Sequence, residues 1–316
     1  MGFFVRKSVD TSTLHAVLKG VDREALEARL GAWAEGLLAA TSASQDAIEG
    51  IAVDGKTLRG SQKQGAPGVH LLSALGHRLG LTLAQQAVAD KTNEIPVVMD
   101  LLRQVVLEGR VVTMDALLTQ RPIAQQIVEA GGDYVMVVKE NQPRLREDIA
   151  TVFALPPIQG ETWTVAEAVD CGHGRIEHRR LDTSDVLVGY SDWPGLAQVF
   201  QLKRQVISKK TGTVRAERVM GVTSLASERA DAACVLALVR GHRHIENESH
   251  WVRDVTFDKD RSQVRCGNIP QVMAALRNTV IGLMRRAGET NIAAACRRFA
   301  AQPAFALELI GIQLEN

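Results

Sequence analysis

Two short apolar segments that each end in an aspartate constrain the fold of this 316-residue chain more than any other feature. Residues 51–53 (Ile-Ala-Val) run into Asp54, and residues 111–114 (Val-Val-Thr-Met) run into Asp115. Such runs are typical of strands buried on both faces of a parallel sheet. If the two strands are parallel neighbours, their carboxyl ends bring both carboxylates to one edge of the sheet, where open α/β sheets place their sites.

The pair of aspartates also indicates a metal site. Asp54-Gly55 taken alone is equally a common hairpin turn, but the recurrence of strand, acid and polar continuation at Asp115 favours a site. Two carboxylates at one edge repel each other unless a divalent cation lies between them. Because the ligands are hard oxygens, magnesium or manganese is the expected ion.

The remaining pattern predicts an alternating α/β layer that is followed by a β-rich stretch. Apolar spacing predicts a helix over residues 12–38, a hairpin formed by strands 70–75 and 79–89, and helices over 95–107, 122–130 and 143–153. Four further β-prone segments lie within residues 160–224, and helices are predicted over 231–251, 271–287 and 292–300. We therefore expect four parts: an N-terminal helical segment (1–49), the first part of an α/β core (50–155), a β-rich insertion (156–225) and a C-terminal helical part that completes the core (226–316).

Charge and hydropathy limit the classes of partner. The net charge is +1, yet residues 201–316 contain 18 Lys and Arg against 11 Asp and Glu, while residues 1–200 contain 19 against 25. This asymmetry is compatible with one face for a polyanion and another for metal-binding acids, although charged faces are usually only solvated. No apolar run approaches the roughly 20 residues of a membrane span. The four cysteines show no zinc spacing, so a cytoplasmic protein with reduced thiols is expected.

A third acid lies on the predicted helix over residues 231–251. At helical spacing Glu246 shares a face with His242 and Arg243 before it and with His250 and Arg253 after it. One carboxylate among cations and imidazoles suits a phosphodiester site. The alternative is a salt-bridged and solvated helix face.

Six sequence blocks resemble the insertion-sequence DDE transposases of the H-repeat-associated branch. They are residues 51–61 (IAVDGKTLRGS), 90–94 (DKTNE), 111–120 (VVTMDALLTQ), 131–142 (GGDYVMVVKENQ), 173–180 (HGRIEHRR) and 245–257 (IENESHWVRDVTF). The resemblance implies an RNase H-like core, a mixed sheet flanked by helices with a β-rich insertion before the last catalytic helix. It also implies the catalytic and metal-binding triad Asp54, Asp115 and Glu246, which would hold two magnesium ions, with manganese able to substitute.

The same resemblance implies a bacterial, nucleoid-associated enzyme that cleaves and joins double-stranded DNA at transposon ends and in a target, working as a homodimer. The candidates for phosphate contacts are Lys56, Arg59, Lys139, His242 and Arg253, and for each a surface or structural cation is the alternative. Asp254, Asp258 and Asp260 are rival acids.

The chain also departs from the pattern of the family. Relatives carry a longer N-terminal segment, so a shortened member is expected. The second aspartate is followed by Ala116-Leu117-Leu118 instead of Ala-Met-Gly, and His242-Arg243 stands where the family has His-Trp. Two other functions therefore stay open: a catalytically silent DNA-binding derivative, and a stand-alone RNase H-like nuclease.

Overall fold

The structure is a computed structural model that describes residues 9–41, 48–62, 68–78, 80–88, 94–157, 159–172, 174–245, 252–258, 261–262 and 264–312. The described residues form two compact units, each assembled from separate stretches of the chain. The central unit consists of the described residues within 48–53 and 98–243. The flanking unit consists of the described residues within 1–47, 54–97 and 244–316. The predicted division into four parts stays a prediction.

The central unit is built on a mixed sheet whose parallel part carries the two predicted aspartate strands. Its elements are the first half of β1 (Gly50–Thr57), the larger part of α3 (Glu94–Leu102), β4 (Val111–Met114), α4 (Arg121–Glu129), β5 (Asp133–Val138), α5 (Pro143–Val152), β6 (Trp163–Gly172), β7 (Arg175–Ser184), β8 (Gln198–Ser208), β9 (Val214–Thr223) and α6 (Ala232–Ile245) as far as Arg243. Strand β4 pairs in parallel with β1 and with β5. These strands are apolar and buried, as their sequence predicts.

The β-rich insertion extends the same sheet. Strand β9 pairs antiparallel with β5, and β8, β7 and β6 follow as an antiparallel series. Helix α6 packs on the face that carries Leu181, Leu202 and Val219. Helix α5 lies beside Met220, and because successive strand residues point to opposite faces, α5 and α6 cover opposite sides.

These observations confirm the predicted fold class. The chain is an α/β protein with an RNase H-like mixed sheet flanked by helices, and the β-rich insertion precedes helix α6. Helix α6 ends at Ile245, and the rest of the predicted helix, residues 246–251, lies outside the described residues.

The flanking unit combines a hairpin with helices from both ends of the chain. Its elements are α1 (Thr11–Gly20), α2 (Arg23–Thr41), the second half of β1, β2 (His70–Gly76), β3 (Thr82–Val88), the start of α3 (Glu94–Leu102), a π-helix (Val252–Thr256), α7 (Ile269–Arg286), α8 (Ile292–Ala301) and α9 (Pro303–Leu309). Strands β2 and β3 are antiparallel, as predicted, and α2 and α7 pack on β3.

The single helix predicted over residues 12–38 is wrong, because the chain forms two helices there. Helix α1 ends at Gly20 and α2 begins at Arg23. The Asp22 carboxylate accepts a hydrogen bond from the backbone N–H of Ala25 at 3.0 Å, the contact that an N-cap aspartate makes. Apolar spacing carries across this break, so the cap and not the periodicity was the informative signal.

In the part of the chain that the structure describes, every helix is too short or too polar to cross a membrane.

Candidate active site

Asp115 and Lys139 stand at the carboxyl ends of neighbouring parallel strands. Asp115 directly follows β4, Lys139 directly follows β5, and the Lys139 Nζ atom lies 4.0 Å from Asp115 Oδ1. The two side chains are 62% and 56% exposed, so this ion pair stabilises the fold by at most about 1 kcal/mol. The carboxylate of Asp115 therefore stays accessible to a ligand from solvent.

The loop that carries Asp115 is fixed by three polar side chains, of which Thr119 is buried, Gln142 is half-buried and Asn141 is exposed. The hydroxyl of Thr119 donates to the backbone carbonyl of Val137 at 2.6 Å. The Asn141 amide donates to the carbonyl of Ala116 at 2.6 Å and that of Thr119 at 3.3 Å, and the Gln142 amide donates to Thr119 at 3.1 Å. The end of β5 thus holds the segment after Asp115 in one conformation.

These loop-fixing residues were missed as site residues by the sequence analysis. Thr119, Asn141 and Gln142 all lie within the blocks that carry the family resemblance. From the block of residues 131–142 only Lys139 was selected. Their signal was available, because all three side chains carry hydrogen-bonding groups and follow soon after the ends of two apolar strands. What the sequence could not show is that they bond to the backbone of the Asp115 loop.

His242 connects helix α6 to strand β4. Its Nδ1 atom lies 3.0 Å from the hydroxyl of Thr113, which is buried in β4 two residues before Asp115. Burial lowers the pKa of His242 below its ordinary value, Arg243 lowers it further, and the Asp115 carboxylate acts in the opposite direction. The imidazole is therefore neutral near pH 7 and acts as a hydrogen-bonding group instead of a fixed cation.

Asp54 lies in the flanking unit, at the point in β1 where full burial ends. The predicted end of the strand at Asp54 is wrong, because β1 continues as a partly exposed strand to Thr57. The next residue must be small: a Cβ atom on Gly55 would lie 2.8 Å from His70 Nε2 and 3.0 Å from Leu72 Cδ2. His70 is buried there, with Nδ1 3.0 Å from the hydroxyl of Thr57 and Nε2 3.2 Å from Glu94 Oε1. A buried histidine and glutamate pair thus packs directly against the backbone that follows Asp54.

Glu94 and His70 are a second feature that the sequence analysis did not select. Glu94 closes the DKTNE block, and its side chain is almost as buried as that of His70. Acids this well buried are rare unless they are paired, which explains the close contact with the imidazole. The two residues are 24 positions apart, so their pairing required the fold.

The predicted phosphate contacts of the flanking unit have different surroundings. Lys56 forms a close ion pair with Asp254, one of the rival acids, which lies in the π-helix. Arg59 begins a short 3₁₀ turn, and its side chain is exposed. Arg253 also lies in the π-helix, but its side chain is outside the described part of the chain, as is the whole of Glu246.

The central unit thus brings Asp115, Lys139 and His242 together, while the flanking unit holds Asp54, Lys56, Arg59 and the backbone of Arg253. Among the described residues no group of three or more His, Cys, Asp or Glu side chains could hold a metal ion. Glu246, the third acid of the predicted triad, falls outside those residues.

The sequence matches the family described as Transposase DDE domain over residues 45–283. YhhI of Escherichia coli K12, named as a candidate H repeat-associated transposase, is 30% identical over 253 residues, covering 76% of this chain and 65% of YhhI. An uncharacterized protein from the dhlA 3′ region of Xanthobacter autotrophicus is 37% identical over 216 residues, covering 67% of this chain and 71% of that protein. A piggyBac transposase synaptic complex with hairpin DNA aligns with a TM-score of 0.38 and 12% identity over 74% of this chain and 45% of that one, which is too low to support an argument.

The chain belongs to the Transposase DDE domain family. Within that family it is a member of the H repeat-associated insertion-sequence branch, as its sequence blocks predicted. It spans slightly less than two thirds of the length of the E. coli relatives YhhI and YbfL, 65% and 63% respectively.

Proposed function

We propose that the chain is a transposase that cleaves the ends of its insertion sequence and joins them to target DNA, using Asp54, Asp115 and Glu246. Family membership supports the reaction class. The observation that carries the assignment of residues is the strand register. Val53, directly before Asp54, is the register partner of Met114, directly before Asp115, in neighbouring parallel strands. Asp115 directly follows β4, whereas Asp54 lies within β1, next to the last residue that pairs with β4. Parallel neighbours that carry acids directly after paired register positions are the arrangement expected of a two-carboxylate site.

The donor set fits a hard divalent cation. Carboxylate oxygens are the ligands that magnesium and manganese prefer, and the Asp115 carboxylate is largely exposed, with Lys139 Nζ 4.0 Å away. In this proposal Asp54, Asp115 and Glu246 would hold two magnesium ions, with manganese able to replace them. When bound, such ions activate the attacking oxygen and stabilise the leaving oxygen of a phosphodiester.

The other predicted side chains orient DNA in this proposal. Lys139 lies within reach of Asp115 and would contact a phosphate next to the scissile bond. Neutral His242 would hold its phosphate by hydrogen bonding. Lys56, Arg59 and Arg253 would contact DNA from the flanking unit, and Lys56 would do so while paired with Asp254. Two copies of the chain are expected on DNA, because two transposon ends must be joined.

The test is magnesium-dependent nicking of a plasmid that carries the gene together with its native flanking DNA. We expect Asp54→Asn, Asp115→Asn and Glu246→Gln each to reduce nicking by at least about 100-fold, because each would remove a negatively charged ligand from the divalent ions that act on the phosphodiester. Asp100→Asn, a change of the same kind at an exposed acid of helix α3, should leave nicking unchanged. Nicking at the wild-type rate in any of the three variants would remove that residue from the triad.

The same assay separates the two alternatives. DNA binding that survives chelation of magnesium, with no nicking by the unmodified protein, would identify a catalytically silent derivative. Nicking without joining to a second plasmid would identify a nuclease.

A further inference from the structure

We propose that five arginines on the β-insertion and helix α6 form a binding surface for the phosphate backbone of double-stranded DNA. We call this set the arginine lattice: Arg175, Arg179, Arg204, Arg240 and Arg243. All five lie in the central unit. The choice of DNA as the polyanion rests on the proposed function, whereas the surface itself is argued from the contacts of these residues.

The lattice is built on a sheet register that would otherwise be unfavourable. Arg179 of β7 is directly opposite Arg204 of β8, and Asp170 of β6 is directly opposite Glu177 of β7. Like charges in directly opposed positions destabilise a sheet. The conflict is resolved by crossed ion pairs, since Arg179 binds both Asp170 and Glu177.

Glu177 is the centre of the lattice. It is buried, and it also accepts hydrogen bonds from Arg204 at 3.0 Å and forms an ion pair with Arg175 at 2.7 Å. Burial acts to raise the pKa of Glu177, but the surrounding arginines outweigh it and lower the pKa. One ionised carboxylate thus fixes three guanidinium groups in place.

Helix α6 extends the lattice from the sheet. Arg240 pairs with Asp170 at 3.0 Å, and Arg243 pairs with Glu217 of β9 at 3.3 Å, which Arg204 also reaches at 3.3 Å. The five arginines therefore share three carboxylates, which leaves two positive charges unbalanced within the set. Lattice residue Arg243 directly follows His242, the residue that contacts Thr113 beside Asp115.

This arrangement suits phosphate binding better than a purely structural role. The lattice carries two more cations than carboxylates, and exposed ion pairs contribute little stability to a sheet. The guanidinium fork matches phosphate oxygens, and arginines already held in place lose less freedom on binding. Arg175, Arg240 and Arg243 are 50%, 44% and 36% exposed, so a DNA backbone can reach them.

The test measures binding of a random-sequence DNA duplex in chelator, so that cleavage plays no part. The lattice variant Arg175→Gln, Arg240→Gln, Arg243→Gln removes the three most exposed charges. Each lost phosphate contact reduces the slope of log affinity against log salt by about 0.9, so we expect the slope to fall by about 2 to 3. We also expect binding at low salt to weaken at least tenfold, which is roughly the effect of losing two or three contacts.

The matched control is Arg103→Gln, Arg121→Gln, Arg298→Gln. These three arginines are also exposed and each pairs with a carboxylate, but they lie outside the lattice. The control removes the same net charge. We expect it to change the slope of log affinity against log salt by less than about 0.9, the value for one phosphate contact. The proposal is overturned if the lattice variant binds like the unmodified protein, or if both variants lose affinity equally.

A measurement on the unmodified protein covers the case in which the lattice variant does not fold. Phenylglyoxal modifies accessible arginines, and bound duplex should protect Arg175, Arg240 and Arg243 but leave Arg103 reactive. Equal modification with and without DNA would overturn the proposal. Neither experiment requires catalysis, so a failure of the transposase assignment would appear only in the nicking assay.

Discussion

At the scale of single residues, the site depends on side chains that bind backbone and do no chemistry themselves. Asn141 is the clearest example, because its amide reaches two carbonyls of the loop that follows Asp115. A side chain of this kind controls where a carboxylate points. Such residues are difficult to select from one sequence, because an asparagine after a strand is equally an ordinary turn residue.

We predict that Asn141→Ala loosens the loop at residues 115–120. Loss of the two hydrogen bonds should cost about 1–2 kcal/mol of unfolding free energy and reduce nicking by more than the loss of folded protein explains. Hydrogen exchange of the loop amides should rise in the variant. Gln120→Ala, which removes two long contacts, 3.4 Å to the carbonyl of Leu117 and 3.5 Å from the Gln142 amide, is the control. Unchanged exchange in Asn141→Ala would contradict the assigned role.

His242 gives a prediction about pH. Its pKa in the folded protein is lower than the ordinary value of 6.5, so the unfolded chain binds a proton more readily. This residue therefore supports folding fully above about pH 6.5, and its contribution is lost as the pH falls. Urea unfolding at about pH 7.5 and about pH 5.5 should show a smaller decrease in unfolding free energy for His242→Asn than for the unmodified protein. Identical pH dependence in both proteins would show that burial of His242 has no energetic effect.

At the scale of elements, strand β9 joins the parallel part of the sheet to the insertion, and its junction requires a glycine. A Cβ atom on Gly221 would lie 2.2 Å from Cζ of Phe200 and 2.4 Å from the carbonyl oxygen of Met136. The aromatic ring can turn, but the carbonyl belongs to β5, the strand that pairs with β9. The two strands can approach this closely only without a side chain.

We predict that Gly221→Ala destabilises the protein by about 3 kcal/mol, the upper part of the range for overpacked sites. Chemical denaturation measures this value directly. Gly172→Ala is the matched control, because Gly172 is also a strand glycine of this sheet and a Cβ there would meet no atom within 4 Å. A loss below about 1 kcal/mol at Gly221 would mean that β5 and β9 can separate without cost.

At the scale of the whole molecule, much of the architecture could be predicted from the sequence. The aspartate strands, the hairpin, the β-rich insertion and helix α6 all follow from apolar runs and spacing, because local burial patterns decide those elements. The family could be predicted from six short blocks. The break between α1 and α2 could not be predicted from spacing, since a capping aspartate interrupts the helix without changing the apolar pattern.

The network around the site could not be predicted, for a physical reason. Contacts such as His70 with Glu94, Lys56 with Asp254 or Arg243 with Glu217 join residues that are far apart in the chain. Their partners depend on strand order and register, which a single sequence does not specify. The triad of Asp54, Asp115 and Glu246 stays a prediction until nicking is measured.

The pairing of β5 with β9 has a consequence for synthesis on the ribosome. Strand β5 ends at Val138, but the strand that covers its free side begins only at Val214. A nascent polypeptide that stops between these points leaves one edge of an apolar strand without a partner, and such an edge is a template for aggregation. Copies of this protein that terminate between these points should therefore be insoluble. Copies that extend past Thr223 contain β9, which pairs with that edge of β5.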